Sequence, residues 1–277
     1  MKSSKTSSNQ QSKIVLKPGK LMRLNRYLAL CGLGSRRKTE EFIRSGQIVV
    51  NNQVVKDLAC IVDIDADTVV FNGKKLSVQN EKIYIILNKP TGYVVSQQDE
   101  YDRKTVYSLL PEQFSSLPYA GRLDKSSEGL LLFTDDGDLI QRLTHPAYKV
   151  EKIYRVRVAP KLGKEAILRL REGIEIEGGK TQSAKVYVKS ATDAEMLLRI
   201  GIKEGRKRQI RHMIEAVGAK VRSLRRVQFG PLILGDLPSG RWRPLLPNEV
   251  RSLLNAVKPH AAKSVAKKAF STGKESK

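Results

Sequence analysis

The spacing of apolar positions changes character near residue 77. Before it, Leu21, Leu24, Leu28 and Cys31 recur at helical spacing and predict a first helix over 22–31, stopped by Gly32. Ser35 is placed to cap a second short helix, which Gly46 closes. Two hairpin patterns follow. Gln47-Ile48-Val49-Val50 runs through Asn51-Asn52 into Val54-Val55, and Thr68-Val69-Val70-Phe71 turns at Asn72-Gly73 into Lys74-Lys75-Leu76. Residues 77–82 are mostly polar and read as a linker. Beyond them, strands are predicted at 83–87, 130–133, 153–158, 184–188, 196–200 and 220–227, and helices at 137–144, 163–172, 206–217 and 247–257. Strands and helices are mixed rather than strictly alternating, which predicts an α+β body over 83–257.

A chain of 277 residues is long enough for two domains and for a core that needs no staples. No apolar run approaches the roughly 18 residues that cross a bilayer, so a transmembrane protein is excluded. The N-terminus lacks the apolar core of a secretory signal, although its Ser-rich, acid-free composition keeps organellar import as a lesser alternative to the bacterial cytoplasm. Cys31 and Cys60 cannot form a secreted disulfide framework and point to a reducing compartment. His145, His212 and His260 are scattered, with no Cys-x-x-Cys pair, so no metal site is expected. No GxGxxG or P-loop pattern is present, and no nucleotide cofactor is expected.

Charge narrows the partner. Lys and Arg number 51 against 28 Asp and Glu, a net charge of +23, and nucleic acid is the first candidate polyanion. Residues 1–20 hold five lysines and no acid, and residues 258–277 hold six lysines against Glu275. Both stretches read as disordered basic arms that add phosphate affinity or simply solubilise the chain. The body between them is basic by itself. In the second helix Arg36, Arg37 and Lys38 occupy the first turn, where cations oppose the helix dipole by a few tenths of a kcal/mol each. A bound phosphate reverses that penalty; a solvated charged face is the plainer alternative. Two helices, a small sheet and basic residues on the second helix together resemble the α-L (S4-type) RNA-binding domain over residues 21–76.

One segment of the body is unusual. Tyr119-Ala120-Gly121-Arg122-Leu123-Asp124-Lys125-Ser126-Ser127-Glu128-Gly129 sets a tight polar loop before the apolar run Leu130-Leu131-Leu132-Phe133. It presents one carboxylate, Asp124, between Arg122 and Lys125. An arginine partner keeps a carboxylate ionised, as a nucleophile requires; the plainer alternative is an aspartate that orders its own turn.

The runs GRLD (121–124), EKIYRV (151–156) and EGRKRQIRHM (204–213), in that order, resemble the pseudouridine synthases that modify ribosomal RNA, in the RsuA/RluB branch. Asn88-Lys89-Pro90 and Thr134-Asp135-Asp136-Gly137 fit the same pattern, and the resemblance covers about residues 22–250. It implies an α-L domain ahead of a mixed α/β catalytic domain built on an antiparallel sheet, with no cofactor and no metal. It also implies roles. Asp124 matches the catalytic aspartate, Arg122 the arginine that helps displace the target nucleotide, Tyr154 the tyrosine that packs on the uracil, and Arg211 the arginine that pairs with the catalytic carboxylate. Arg122, Arg36, Arg37, Lys38, Lys89, Lys152, Arg206 and Arg208 are the expected RNA contacts.

Helical geometry bears on two of these residues. Ile210, Met213, Ile214 and Val217 define a buried stripe, and Arg211 lies at its edge, able to reach inward, while Arg208 points toward solvent. Without the motif, Tyr154 reads first as a core strand aromatic. The stretch 199–226 carries ten basic residues against Glu204 and Glu215, a density suited to lining an RNA groove. The expected activity is site-specific conversion of uridine to pseudouridine in ribosomal RNA, the large subunit favoured over the small, by a monomer acting on the RNA or on a pre-ribosomal particle. The competing reading is a non-catalytic RNA-binding assembly factor, in which Asp124 is a turn residue; a DNA-binding protein ranks third, because no recognition helix stands out.

Overall fold

The computed structural model describes residues 21–78, 82–97 and 99–257. The two basic arms and half of the linker, residues 79–81, lie outside them. The chain divides into two units between Lys82 and Ile83.

The first unit begins with a short strand, β1 (Leu21–Arg23), before helices α1 (Leu24–Leu30) and α2 (Arg36–Arg44). The predicted first helix therefore starts later than its periodicity suggests. Leu21 pairs with Asp63 of β4 (Ile61–Asp63) and is 69% exposed, whereas Leu24 and Leu28 are fully buried. Ser35 caps α2, its hydroxyl accepting from the Lys38 amide. Between α2 and β4, β2 (Ile48–Val50) and β3 (Gln53–Val55) pair around Asn51 and Asn52, both at positive φ. After β4, β5 (Val69–Phe71) and β6 (Lys74–Lys75) pair around Asn72 and Gly73, at φ 47° and 74°. Two left-handed residues in succession are what a two-residue hairpin of matching twist demands. Leu24, Leu28, Ile43, Ile48, Val62 and Val69 form this unit's core.

The second unit is organised on a nine-stranded sheet. Its elements in chain order are β7 (Tyr84–Lys89), β8 (Tyr119–Ala120), β9 (Glu128–Thr134), α3 (Gly137–Thr144), β10 (Lys152–Ala159), α4 (Lys164–Glu172), the small hairpin β11 (Glu175–Ile176) and β12 (Gly179–Lys180), β13 (Lys185–Ala191), β14 (Met196–Ile202), α5 (Gln209–Glu215), β15 (Lys220–Phe229), β16 (Leu232–Ile233), β17 (Trp242–Pro244) and α6 (Pro247–Ala256). The strand order is β13-β14-β10-β15-β9-β7-β17, with β8 on β9 and β16 on β15. Neighbours are antiparallel except β9 and β15, which run parallel, so the expected antiparallel sheet is a mixed one at its centre.

Both faces of β7 and β9 are apolar, which is why the run 130–133 does not alternate. Leu131, Phe133, Ile85 and Leu87 join the large core with Val156, Leu198, Ile200 and Met213. Leu130, Leu132 and Ile86 face a second core closed by Leu139 and Leu143 of α3 and Leu253 of α6. The predicted helix over 206–217 is shortened to α5: Arg208 sits in the left-handed region at φ 51°, so the turn at 206–208 is not helical.

Candidate active site

The loop 121–127 is held from several sides. β8 and β9 pair through Tyr119 with Phe133 and Ala120 with Leu132, so the chain between them must reverse over a short span. Within the loop the Ser127 amide donates to the Asp124 carbonyl at 2.9 Å. The Gly92 amide donates to the Lys125 carbonyl at 2.8 Å and braces the outside. From beneath, the Lys89 ammonium donates to the carbonyls of Pro90 (3.0 Å), Asp124 (3.1 Å) and Ser127 (2.7 Å). Arg211 reaches in from α5, its Nη2 donating to the Ser126 carbonyl at 2.9 Å. Leu123 and Ser127 are buried while Asp124 is partly exposed, so the loop offers its carboxylate at the surface.

Gly129 fixes where that loop joins the sheet. At φ +108°, a Cβ on this residue would fall on the main chain of Arg226, whose nitrogen would lie at 2.7 Å. The absence of a side chain lets β9 and β15 meet, with Gly129 opposite Arg226. Arg226 is in turn opposite Tyr154 on β10, so the three residues form one row across the central strands.

Arg226 is 2% exposed. Its Nε donates to the Leu130 carbonyl at 2.8 Å, its guanidinium lies 4.9 Å from the Phe229 ring centroid, and its Nη2 has no partner. Burial lowers its basicity and the neighbouring Tyr154 phenol opposes that. Counting basic residues treats Arg226 as surface charge. The phase of β15 carries the better signal, because Arg226 is two residues from the buried Leu224 and falls on the same side.

Of the expected site residues, the structure brings Arg211 to the loop that carries Asp124, while Tyr154 lies on β10, separated from β9 by β15. Tyr154 is 8% exposed and belongs to the large core, and Arg211 is 9% exposed. Arg211 meets the loop through the Ser126 carbonyl rather than by direct pairing with the Asp124 carboxylate, which corrects the expected contact. Burial lowers the Arg211 pKa and Arg208 adds to that, while Asp124 and Glu215 act in the opposite sense. Arg122 and Arg208 are exposed.

One expected RNA contact is corrected, and a second is engaged within the chain. Lys89 is fully buried, with all three ammonium protons directed at carbonyls of its own loop region, and cannot meet a phosphate. Burial pushes its pKa down to about 8, against the raising effect of Asp124 and Glu128. Arg206 donates to the carbonyls of Gly178 (3.0 Å), Gly179 (2.7 Å) and Lys180 (2.8 Å) and lies 3.4 Å from Glu204, so its guanidinium clamps the β11–β12 hairpin. Lys152 is partly buried, its pKa pushed down to about 8 by burial and by Arg226, and it lies 5.8 Å from the Phe229 ring centroid. In the first unit Arg36, Arg37 and Lys38 are exposed on the first turn of α2; Arg36 also reaches Asn25 at 3.4 Å, and Lys38 pairs with Glu41 at 2.9 Å.

Comparison with known proteins matches this architecture unit by unit. Residues 83–216 match the family model described as RNA pseudouridylate synthase, and residues 22–69 match the S4 domain. The chain is 37% identical over 233 residues to the ribosomal large subunit pseudouridine synthase B of Bacillus subtilis, covering 83% of this chain and 95% of that protein. It is 37% identical over 237 residues to an uncharacterized RNA pseudouridine synthase of Aquifex aeolicus, covering 85% and 95%. A crystal structure of a pseudouridylate synthase superposes with a TM-score of 0.62 at 32% identity, covering 84% of this chain and 99% of that one. An S4 domain ahead of a sheet that carries an aspartate loop, and relatives alike over nearly their whole length, place this chain among the RNA pseudouridine synthases, in the RsuA/RluB branch.

Proposed function

We propose that this enzyme converts one uridine of large-subunit ribosomal RNA to pseudouridine, acting as a monomer in the bacterial cytoplasm on the RNA or a pre-ribosomal particle. The name of the Bacillus relative supports the large subunit. The observation that carries the reading is the loop itself. A partly exposed carboxylate, Asp124, stands on a backbone gripped by the buried Lys89 and by Arg211, with Tyr154 in the same cross-strand row as Gly129, one strand beyond Arg226.

The chemistry accounts for that arrangement. The bond between N1 of uracil and C1′ of the ribose breaks, the ring turns, and a bond forms from C1′ to C5; C5 loses a proton and N1 gains one. No atom enters or leaves in the net reaction, so no co-substrate is required. The base cannot turn inside a helical stack, and extruding it costs a few kcal/mol. Arg122, exposed on the same loop, is the residue proposed to fill the vacated space. Tyr154 packs against the extruded ring. Asp124 attacks the ring or the sugar carbon, or assists elimination from the sugar. Arg211 holds the loop so that the carboxylate faces the nucleotide. Arg36, Arg37, Lys38, Lys152 and Arg208 supply phosphate contacts, which fix register without reading sequence.

The test is to map pseudouridines in both ribosomal RNAs by carbodiimide-dependent primer-extension stops, in a strain lacking the gene. Return of a lost large-subunit stop with the wild-type gene, and not with Asp124→Asn, supports the reading. No change in either RNA, or rescue by Asp124→Asn, overturns it.

A further inference from the structure

The sheet has a basic face that the reaction does not use. In β10, Tyr154 and Val156 are buried in the large core, so Arg155 between them points to the other side and is exposed. In β14, Arg199 lies between the buried Leu198 and Ile200. The strand registers place Arg199 opposite Arg155, and Arg155 opposite Arg225 of β15. Three arginines therefore stand side by side on three adjacent strands, on the side of the sheet away from Tyr154. Tyr187 of the edge strand β13, 54% exposed, pairs with Arg199 at the outer end of the row, and Glu128 pairs with Arg225 at the inner end.

Like charges directly opposite one another, with Cβ atoms about 5 Å apart, destabilise a sheet. Arg157, the next residue on the same face of β10, has a carboxylate partner in Glu195 at 3.2 Å. Arg155, Arg199 and Arg225 form no ion pair among the described residues. The hydrogen bond Arg199 makes is a 3.4 Å contact to the Gln228 amide oxygen, and the Nε of Arg225 is buried without a partner. A row of unneutralised guanidinium groups ending in an exposed aromatic matches a nucleic-acid backbone: forked donors suit phosphate oxygens, and the ring offers a stacking surface.

We propose that the Tyr187–Arg199–Arg155–Arg225 row binds the sugar–phosphate backbone of a second segment of the RNA substrate, on the face of the sheet opposite the reacting nucleotide. The proposal rests on the reading of this protein as an enzyme that acts on RNA. The site lengthens the footprint on a large RNA and leaves recognition of the target uridine to the catalytic side.

The experiment measures binding, so its outcome is independent of turnover. Full-length protein, as wild type, Arg155→Gln and Arg155→Gln/Arg199→Gln, is titrated with a large-subunit rRNA transcript and with intact large ribosomal subunits at several salt concentrations. Thermal melting establishes that each variant is folded. The expected result is roughly a tenfold loss of transcript affinity for the double variant and a salt slope shallower by about two, one unit for each lost phosphate contact. The single variant is expected to show about half of each effect on a logarithmic scale. An unchanged transcript affinity and slope overturns the proposal in favour of a solvated face. Weaker binding with an unchanged slope overturns it too, because phosphates are then not the partner. A loss seen with ribosomal subunits and not with the naked transcript assigns the face to a protein and equally overturns it. Failure of wild type to modify any uridine would overturn the proposed function and leave this measurement standing.

Discussion

The buried ammonium of Lys89 donates to the main-chain carbonyl of Asp124 at 3.1 Å, so the residue proposed to do the chemistry is held through its backbone by a cation beneath it. The same ammonium takes the Ser127 carbonyl at 2.7 Å and the Pro90 carbonyl at 3.0 Å. One side chain thus joins the end of β7 to both ends of the turn that carries the carboxylate. It leaves the carboxylate itself free for a substrate.

Removing that cation leaves three carbonyls without their donor. Lys89→Met is expected to destabilise the second unit by about 3 kcal/mol, because each orphaned buried acceptor costs about 1–3 kcal/mol and the loop relaxes to recover part of it. Turnover falls by more than the unfolded fraction explains, since the Asp124 loop is no longer fixed. Urea denaturation and turnover on the same preparations check this. Wild-type stability in the variant would show that the grip is not structural.

The lowered Lys89 pKa sets the sign of a pH effect. Folding depresses this lysine from its ordinary 10.5 to about 8, so between those values the unfolded chain binds the extra proton. Stability from this group therefore rises with pH across that window, and the penalty of burying the charge is present in full below about 8. Wild type should gain on Lys89→Met in denaturant midpoint between pH 8 and 10. The neutral amine keeps two protons for three carbonyls, so turnover should decline over the same window. A gap that is flat or shrinks with pH would refute the assignment.

Asp124→Asn separates chemistry from binding. The side chain is partly exposed and the loop's hydrogen bonds run through its backbone, so the variant should fold and bind RNA within about threefold of wild type while making no pseudouridine. Tritium release from C5-labelled uridine in RNA reports turnover, and filter binding reports affinity. Residual turnover near wild type would make Asp124 a turn residue.

Gly129 should tolerate no side chain. Gly129→Ala places a methyl on the Arg226 main chain at an unfavourable φ and should cost about 3 kcal/mol or more, by parting β9 from β15. Gly92→Ala is the control: its φ is +90°, but nothing stands within 4 Å of the added carbon, so only the backbone strain of about 1 kcal/mol applies. Calorimetric melting of both distinguishes close approach from strain alone. Equal losses would remove the packing argument.

Arg206 and Arg208 are two residues apart and should behave oppositely. Arg206→Ala frees the three carbonyls at 178–180 and should lower the melting temperature with little change in the salt dependence of RNA binding. Arg208→Ala, at an exposed side chain, should leave melting nearly unchanged and make the salt slope shallower by about one. The reverse pattern would restore Arg206 to the RNA surface.

Much of the fold could be read along the chain. The stretch 137–144 is a helix in the structure as in the pattern, with Asp136 capping it through the Leu139 amide. Both Asn-based turns form where their residues predict. The gaps fall where local signal is weak. The stretch between β7 and β8 holds short 3-10 turns at Val106–Leu109 and Glu112–Phe114, too brief to show a period. β17 is three residues long and includes Pro244, yet pairs with Ile85, Ile86 and Leu87. Neither length nor composition marks it as a strand.

The sequence by itself determined where most of the helices and strands fall, that the chain is strongly basic, and that its spaced motifs resemble one family. Helical and strand periods, turn residues and motif spacing are written in consecutive residues, so a single chain displays them. Only the tertiary structure decided what each cation does. Lys89 is buried because the end of β7 meets the 121–127 loop; Arg206 clamps a hairpin nearly thirty positions earlier. Arg155 stands between Arg199 and Arg225 because of strand register. A guanidinium or ammonium has the same composition whether it faces water, a carbonyl or another cation. The difference lies in which distant backbone arrives beside it, and that is settled when strands pair and cores close.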